Sequence, residues 1–191
     1  MYLVSYIVIA LAFGICTMLL FRRCAEATPV HLLPGLGVVA AVAVVHAALY
    51  WLGTTVGDML AFRSPEEPGR YSDLNSYVFL GLAAMVALKM MGPYLRREAQ
   101  LPLFNLADWW AVLAMAVATG VNVLLTGVGV GFVDPQPSIH KVLWPLLTAS
   151  LLLGYLGLMF GRQKVDLRPR RWMIIACILL LGVAIAAVIN A

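Results

Sequence analysis

The side chains able to do chemistry in this chain stand in the middle of its most apolar stretches. Thr17, His46, Lys89, Thr119, Asn122, Thr126, Thr148 and Ser150 each interrupt a run of aliphatic residues. A polar group surrounded by hydrocarbon is costly unless it finds a partner, so each is a candidate for contact with a neighbouring helix, water or a passing solute. Ser and Thr hydroxyls can turn back to a carbonyl one helical turn earlier, which accounts for Thr17, Thr148 and Ser150 without any function. Lys89, one turn from a helix end, can snorkel its ammonium to an interface. His46 and Asn122 are different, because neither can satisfy itself within its own helix. An interhelical hydrogen bond accounts for either of them as well as a transport role does. His46 is also the one group near the middle of a span that titrates near neutral pH, which makes it the candidate carrier of a coupled proton. No nucleophile–base pair, metal-ligand cluster or phosphate loop stands in the connecting segments, so no enzymatic activity and no cofactor is expected.

The elements that must position these groups follow from composition. The 191 residues are 63% hydrophobic and 12% charged, against roughly 25% charged in an ordinary soluble domain. A water-soluble chain of this size has too little interior to hide so much apolar surface. The expected architecture is all-α, with six transmembrane helices in a single transmembrane domain over 1–191 and a lipid bilayer as its surroundings. The apolar runs predict helices over Tyr2–Phe21, Leu36–Leu60, Asn75–Pro93, Trp109–Val133, Val142–Gly161 and Trp172–Asn190. Each is about the 20 residues that cross a hydrocarbon core. Trp109, Trp110, Tyr94, Trp144 and Trp172 mark several ends, as the interfacial preference of aromatic rings predicts. No run alternates polar with apolar residues, as barrel strands would. Arg22-Arg23 reads as the stop of the first helix. Ala25-Glu26-Ala27 resembles a cleavage site, but the basic segment that opens a signal peptide is missing, so the first helix is expected to remain in the mature protein.

Basic residues set the expected orientation. Arg22, Arg23, Arg96, Arg97, Arg162, Lys164, Arg168, Arg170 and Arg171 fall in the first, third and fifth connections, against Arg63, Arg70 and Lys141 in the second and fourth. The positive-inside rule then places the odd connections in the cytoplasm and both termini outside a bacterial inner membrane. The formal charge of +4 is thus a topology signal, and nucleic acid is not an expected partner, since the arginines are spread over three short loops without an aromatic platform. Cys16, Cys24 and Cys177 read as small apolar fillers; two lie within helices and one in a cytoplasmic connection, where a disulfide framework is not expected.

The chain also matches itself. Displaced by 104 residues, Ala10-Leu11-Ala12 falls on Ala114-Met115-Ala116, Trp51-Leu52-Gly53 on Tyr155-Leu156-Gly157, and Gly57 on Gly161. Displaced by 101, Phe79-Leu80-Gly81 falls on Leu180-Leu181-Gly182. Helices one to three (1–95) thus repeat as helices four to six (107–191). An odd number of helices per repeat inverts the second copy, an arrangement that recurs in secondary transporters with the substrate site at the midplane. The repeat pairs Met18 with Asn122, His46 with Ser150 and Lys89 with Asn190. Helices one and four are then expected to cross near the bilayer centre, with Met18 and Asn122 related by a pseudo-twofold axis. The paired Gly53-x-x-x-Gly57 and Gly157-x-x-x-Gly161 predict close helix packing.

The fourth helix carries a resemblance. Ala116-Val117-Ala118-Thr119-Gly120-Val121-Asn122-Val123-Leu124-Leu125-Thr126-Gly127-Val128-Gly129 resembles the A-x-A-T-S-x-D-A-x-A-V-G-x-G segment of the MntP-type manganese efflux pumps. Leu11-Ala12-Phe13-Gly14 with Met18 is similar to that family's opening helix, Leu88-Lys89-Met90 to the basic-Met pair closing its third, and Leu156-Gly157-Leu158-Met159-Phe160-Gly161-Arg162 to its L-G-x-x-x-G-R. The resemblance implies an exporter. It also implies that the family's two intramembrane aspartates fall here on Met18 and Asn122, and its polar position in the second helix on His46. Manganese is a hard dication that favours anionic oxygen ligands, and no carboxylate stands at the midplane of this chain.

The reading that follows is an inner-membrane secondary transporter of the efflux class. Its substrate pathway would run past Thr17, Met18, His46, Lys89, Thr119 and Asn122. Asn122 and Thr119 would contact the substrate, His46 would carry a coupled proton, and Lys89 would bias the cytoplasmic vestibule. The substrate is a divalent cation or a small solute, and no metal-ligand set or oligomeric state is assigned. Two alternatives stand beside it: export of a softer metal held by His46, Cys16 and Met18, or of a small organic solute; and a membrane scaffold that has lost the ion site.

Overall fold

The computed structural model describes residues 3–27, 32–63, 71–95, 105–134, 138–165 and 167–191. Six helices run in chain order: α1 Leu3–Ala27, α2 Leu32–Leu60, α3 Ser72–Leu95, α4 Trp109–Val133, α5 Ile139–Arg162 and α6 Pro169–Ile189. No strand occurs among the described residues. All six are long and apolar enough to cross a membrane. The outer faces carry the apolar side chains that a bilayer would cover: Leu88 is 71% exposed, Leu152 68% and Ile178 63%. The chain is a multi-pass membrane protein.

Local chemistry sets the ends. Asp108 caps α4, accepting from the Trp110 amide at 2.9 Å, the usual answer to the unpaired donors of a helix start. Pro169 opens α6, where a missing N–H costs nothing. Trp109 and Trp110 stand outward at 59% and 76% exposure, in keeping with an interfacial aromatic belt. The main difference from the sequence expectation is at α1, which runs through Arg22-Arg23 to Ala27. Charge ends a membrane span but not a helix. Arg22 pairs with Glu26 one turn on, at 2.9 Å, and donates to the Leu167 carbonyl at 2.8 Å. Cys24 and Ala25 stay buried because the extra turn packs on α5. Arg70, Arg96 and Arg97, used for the orientation, lie outside the described residues.

Helix α1 packs along α5, and α2 along α4; α2 also meets α5, α3 meets α4 and α6, and α1 meets α6. The two longest interfaces are built on small residues. On α2, Gly53 and Gly57 lie against the backbone of α4 from Leu124 to Gly131, and a Cβ on either would collide with it. On α5, Gly157 and Gly161 lie against the Met18 and Arg22 carbonyls of α1 in the same way. Close backbone approach of this kind replaces the hydrophobic drive that lipid cannot supply between helices. Helices α1 and α4 are not among the extensively packed pairs, although residues of both line one cavity and share one buried cluster. Their small-residue faces are already committed to α5 and α2.

Candidate functional site

One cavity brings most of the intramembrane polar groups together. It holds about 180 Å³ and is walled by Phe13, Cys16, Thr17 and Leu20 of α1, His46 of α2, Lys89, Met90, Pro93 and Tyr94 of α3, Thr119, Asn122 and Val123 of α4, and Met173 of α6. The α1 and α4 walls follow helical spacing, since residues three and four apart share one face. Phe13, Cys16, Thr17 and Leu20 form one such face, and Thr119, Asn122 and Val123 another. Met18 points elsewhere. It is 3% exposed and its carbonyl lies against Gly157 in the α1–α5 interface, so it does not wall the cavity. Of the residues expected along a substrate path, the structure therefore groups Thr17, His46, Lys89, Thr119 and Asn122 and separates Met18.

Hydrogen bonds show which groups have capacity left. Thr17 donates to the Phe13 carbonyl at 2.9 Å, and Thr126 donates to that of Asn122 at 3.0 Å. Thr148 donates to that of Trp144 at 2.8 Å on an exposed face. These back-bonds are the local satisfaction anticipated for helical hydroxyls. Ser150 departs from it, with a fully buried Oγ that has no partner among the described residues. Thr119 donates to the Met115 carbonyl at 2.8 Å and lies 2.9 Å from His46 Nε2. The direction of that bond follows the imidazole tautomer: with the single hydroxyl proton donated to the Met115 carbonyl, Nε2–H donates and the lone pair sits on Nδ1. That Nδ1 is buried without a donor among the described residues, and so is Asn122 Oδ1. The cavity is thus bordered by two residues with unused acceptor atoms. An unpaired buried polar atom costs about 1–3 kcal/mol.

The other lining groups define the character of the space. Cys16 Sγ donates to the Ala12 carbonyl at 3.2 Å and lies 3.9 Å from Met173 Sδ. Met90 stands in the same wall, and exposed Lys89 stands with Pro93 and Tyr94 toward the end of α3. Among the described residues no carboxylate lines the cavity, and no three His, Cys, Asp or Glu side chains gather closely enough to hold a metal ion. Sequence reasoning missed Cys16, Met90 and Met173 as a group. Three helices supply them, and each alone reads as ordinary core.

A second recess of about 370 Å³ lies at the other end of α1, α3, α4 and α6, walled by Ser5, Ser72, Ser76, Val133 and Asn190 among others. Between the two, Ile9, Ala12, Thr126 and Val130 are fully buried. Nearby, the Tyr6 hydroxyl donates to Asp134 at 2.7 Å, joining α1 to the end of α4.

Residues 31–188 match the family model described as "Mntp: Putative manganese efflux pump". The chain belongs to this family. The match takes in α2 to α5 and nearly all of α6, and begins beyond α1, so the helix that contributes Cys16 and Thr17 lies outside it. Membership makes the protein one of a family of manganese efflux transporters rather than of enzymes, and it agrees with the resemblance carried by the fourth helix. No curated protein and no solved structure matches the chain.

Proposed function

We propose that this family member is a secondary transporter of the inner membrane that exports a metal cation through the cavity walled by Thr17, His46, Thr119 and Asn122. The observation that carries the reading is the pair of unpaired polar atoms, His46 Nδ1 and Asn122 Oδ1, on two residues bordering one cavity. Size favours an ion over an organic solute. A volume of about 180 Å³ is below the roughly 300 Å³ at which organic ligand pockets begin, but it accommodates an ion and a few waters at about 30 Å³ each.

The path follows from charge. The cavity lies toward the ends of α1 and α6 that carry Arg22, Arg23, Arg168, Arg170 and Arg171, beside the last turns of α3. The positive-inside rule makes that end cytoplasmic and both termini external. Cargo would enter there past Lys89 and leave through the recess near Ser5, Ser72 and Asn190. His46 Nδ1 is the atom that a coupled proton would occupy.

Exchange between the two openings fits an inverted repeat of α1–α3 and α4–α6. Swapping α1 with α4, α2 with α5 and α3 with α6 leaves the set of packed helix pairs unchanged. The glycine contacts support the same pairing at residue level: Gly14 against Leu153 answers Gly120 against Leu49, and Gly157 at Met18 answers Gly53 at Leu124. This register sets α1 on α4 two residues further along than the sequence match does. Cys16 rather than Met18 then answers Asn122.

Flux into proteoliposomes, tested with Mn²⁺ and with a monovalent soft cation, checks the reading. Flux of at least one is expected, with loss on joint His46→Ala and Asn122→Ala substitution in a protein that stays monodisperse. A folded protein that moves neither ion overturns it.

A further inference from the structure

We infer that the cargo site selects a soft monovalent cation of the Cu(I) or Ag(I) type, held by Cys16, Met173, Met90 and His46. The inference rests on the transport reading above and names its substrate class. Three observations carry it. The first is the sulfur geometry: Cys16 Sγ and Met173 Sδ are 3.9 Å apart, and metal–sulfur bonds of about 2.3 Å in a tetrahedral field put two sulfurs about 3.8 Å apart. Met90 adds a second thioether to the same cavity.

The second observation is His46, 3% exposed and lining the cavity, whose Nδ1 has no partner among the described residues. Thiol, thioether and imidazole are the donors that soft d¹⁰ cations prefer, whereas Mn²⁺ favours carboxylate, carbonyl and water.

The third is charge. Among the described residues the lining includes no carboxylate, and its one fixed charge is Lys89. The cost of desolvating an ion rises with the square of its charge, so a monovalent cation meets about a quarter of the penalty of a dication. Binding can be neutral overall: the Cys16 thiol gives its proton to water, the thiolate joins the cation, and no electron is transferred. A dication on the same donors would leave a net positive charge in hydrocarbon beside Lys89.

The test uses the full chain in detergent under reducing, anaerobic conditions, with Cu(I) titrated against a chromophoric chelator. One tight equivalent is expected. Met173→Leu removes no thiol and nearly conserves volume, and it should weaken binding by at least about tenfold, since even outer-shell partners contribute 10- to 100-fold. Met90→Leu should act likewise, and Cys16→Ser more strongly. Cys24→Ser should change nothing. If Met173→Leu binds Cu(I) as the parent does, the capture is by thiols alone and the inference falls. Ag⁺ and Mn²⁺ flux in proteoliposomes separates the two levels of the argument. Mn²⁺ flux without Ag⁺ flux overturns the substrate class and leaves transport standing, whereas site-dependent Cu(I) binding with no flux of either ion overturns transport and leaves the ligand assignment standing.

Discussion

Placing two carboxylates in the cavity should convert its preference from soft to hard cations, and where they are placed should decide the outcome. The structure selects Cys16→Asp with Asn122→Asp, because both residues wall the cavity. The sequence match alone selects Met18→Asp with Asn122→Asp. Two unit charges 4 Å apart attract by about 4 kcal/mol at an effective dielectric of 20, so a carboxylate gains about 8 kcal/mol from a dication. Desolvating that carboxylate removes several kcal/mol. The remainder, about 1–3 kcal/mol per carboxylate, corresponds to roughly a 10- to 100-fold gain in Mn²⁺ affinity. Met18 is 3% exposed in the α1–α5 interface. A carboxylate there would lose the packing of a methionine and bury a charge with no ion in reach, at a cost of at least about 3 kcal/mol. Calorimetric Mn²⁺ binding by the purified variants, together with Mn²⁺ resistance of a sensitive host normalised to expression, reads the difference. The double variant at Cys16 and Asn122 should bind Mn²⁺ well above the parent, and each single variant less so. The pair at Met18 and Asn122 should gain no more than Asn122→Asp alone and should melt lower. Equal gains from both pairs would refute the assignment of the cavity face, and tight Mn²⁺ binding by the unaltered protein would refute the electrostatic reasoning.

Glycine substitutions test the packing. Gly57→Ala places a Cβ against the Val128 backbone and should destabilise by about 1–3 kcal/mol. Gly81→Ala meets nothing within 4 Å and should stabilise by up to about 1 kcal/mol through helix propensity; thermal melts in one detergent compare them. Thr119→Val removes the acceptor of His46 Nε2–H and should cost about 1–3 kcal/mol in the same assay. A melt unchanged from the parent would show that the imidazole is satisfied in another way. Reporter fusions after Ala191 should read outside the cytoplasm, and a cytoplasmic reading would reverse the direction of the path.

The sequence alone was enough to determine that the chain spans a membrane, how many times, and to which family it belongs. These properties depend on local composition: run length, charge spacing and aromatic ends are fixed residue by residue. The α4 boundaries, Trp109–Val133, match their expected positions for that reason, and Asn122 and His46 stand out because a polar group in hydrocarbon is conspicuous without any structure. Part of the α1 face was also legible. Once Thr17 is taken as facing the site, helical spacing brings in Phe13, Cys16 and Leu20 and excludes Met18. The self-match misled there, because similarity between apolar helices leaves an ambiguity of a residue or two that only contacts resolve. Packing alone decided the rest. Cys16, Met90 and Met173 come from three helices and carry no local mark that distinguishes a core sulfur from a ligand. The 3.9 Å between Cys16 and Met173 exists only because α1 packs on α6, and α1 reaches that position because Gly157 and Gly161 let α5 approach its backbone.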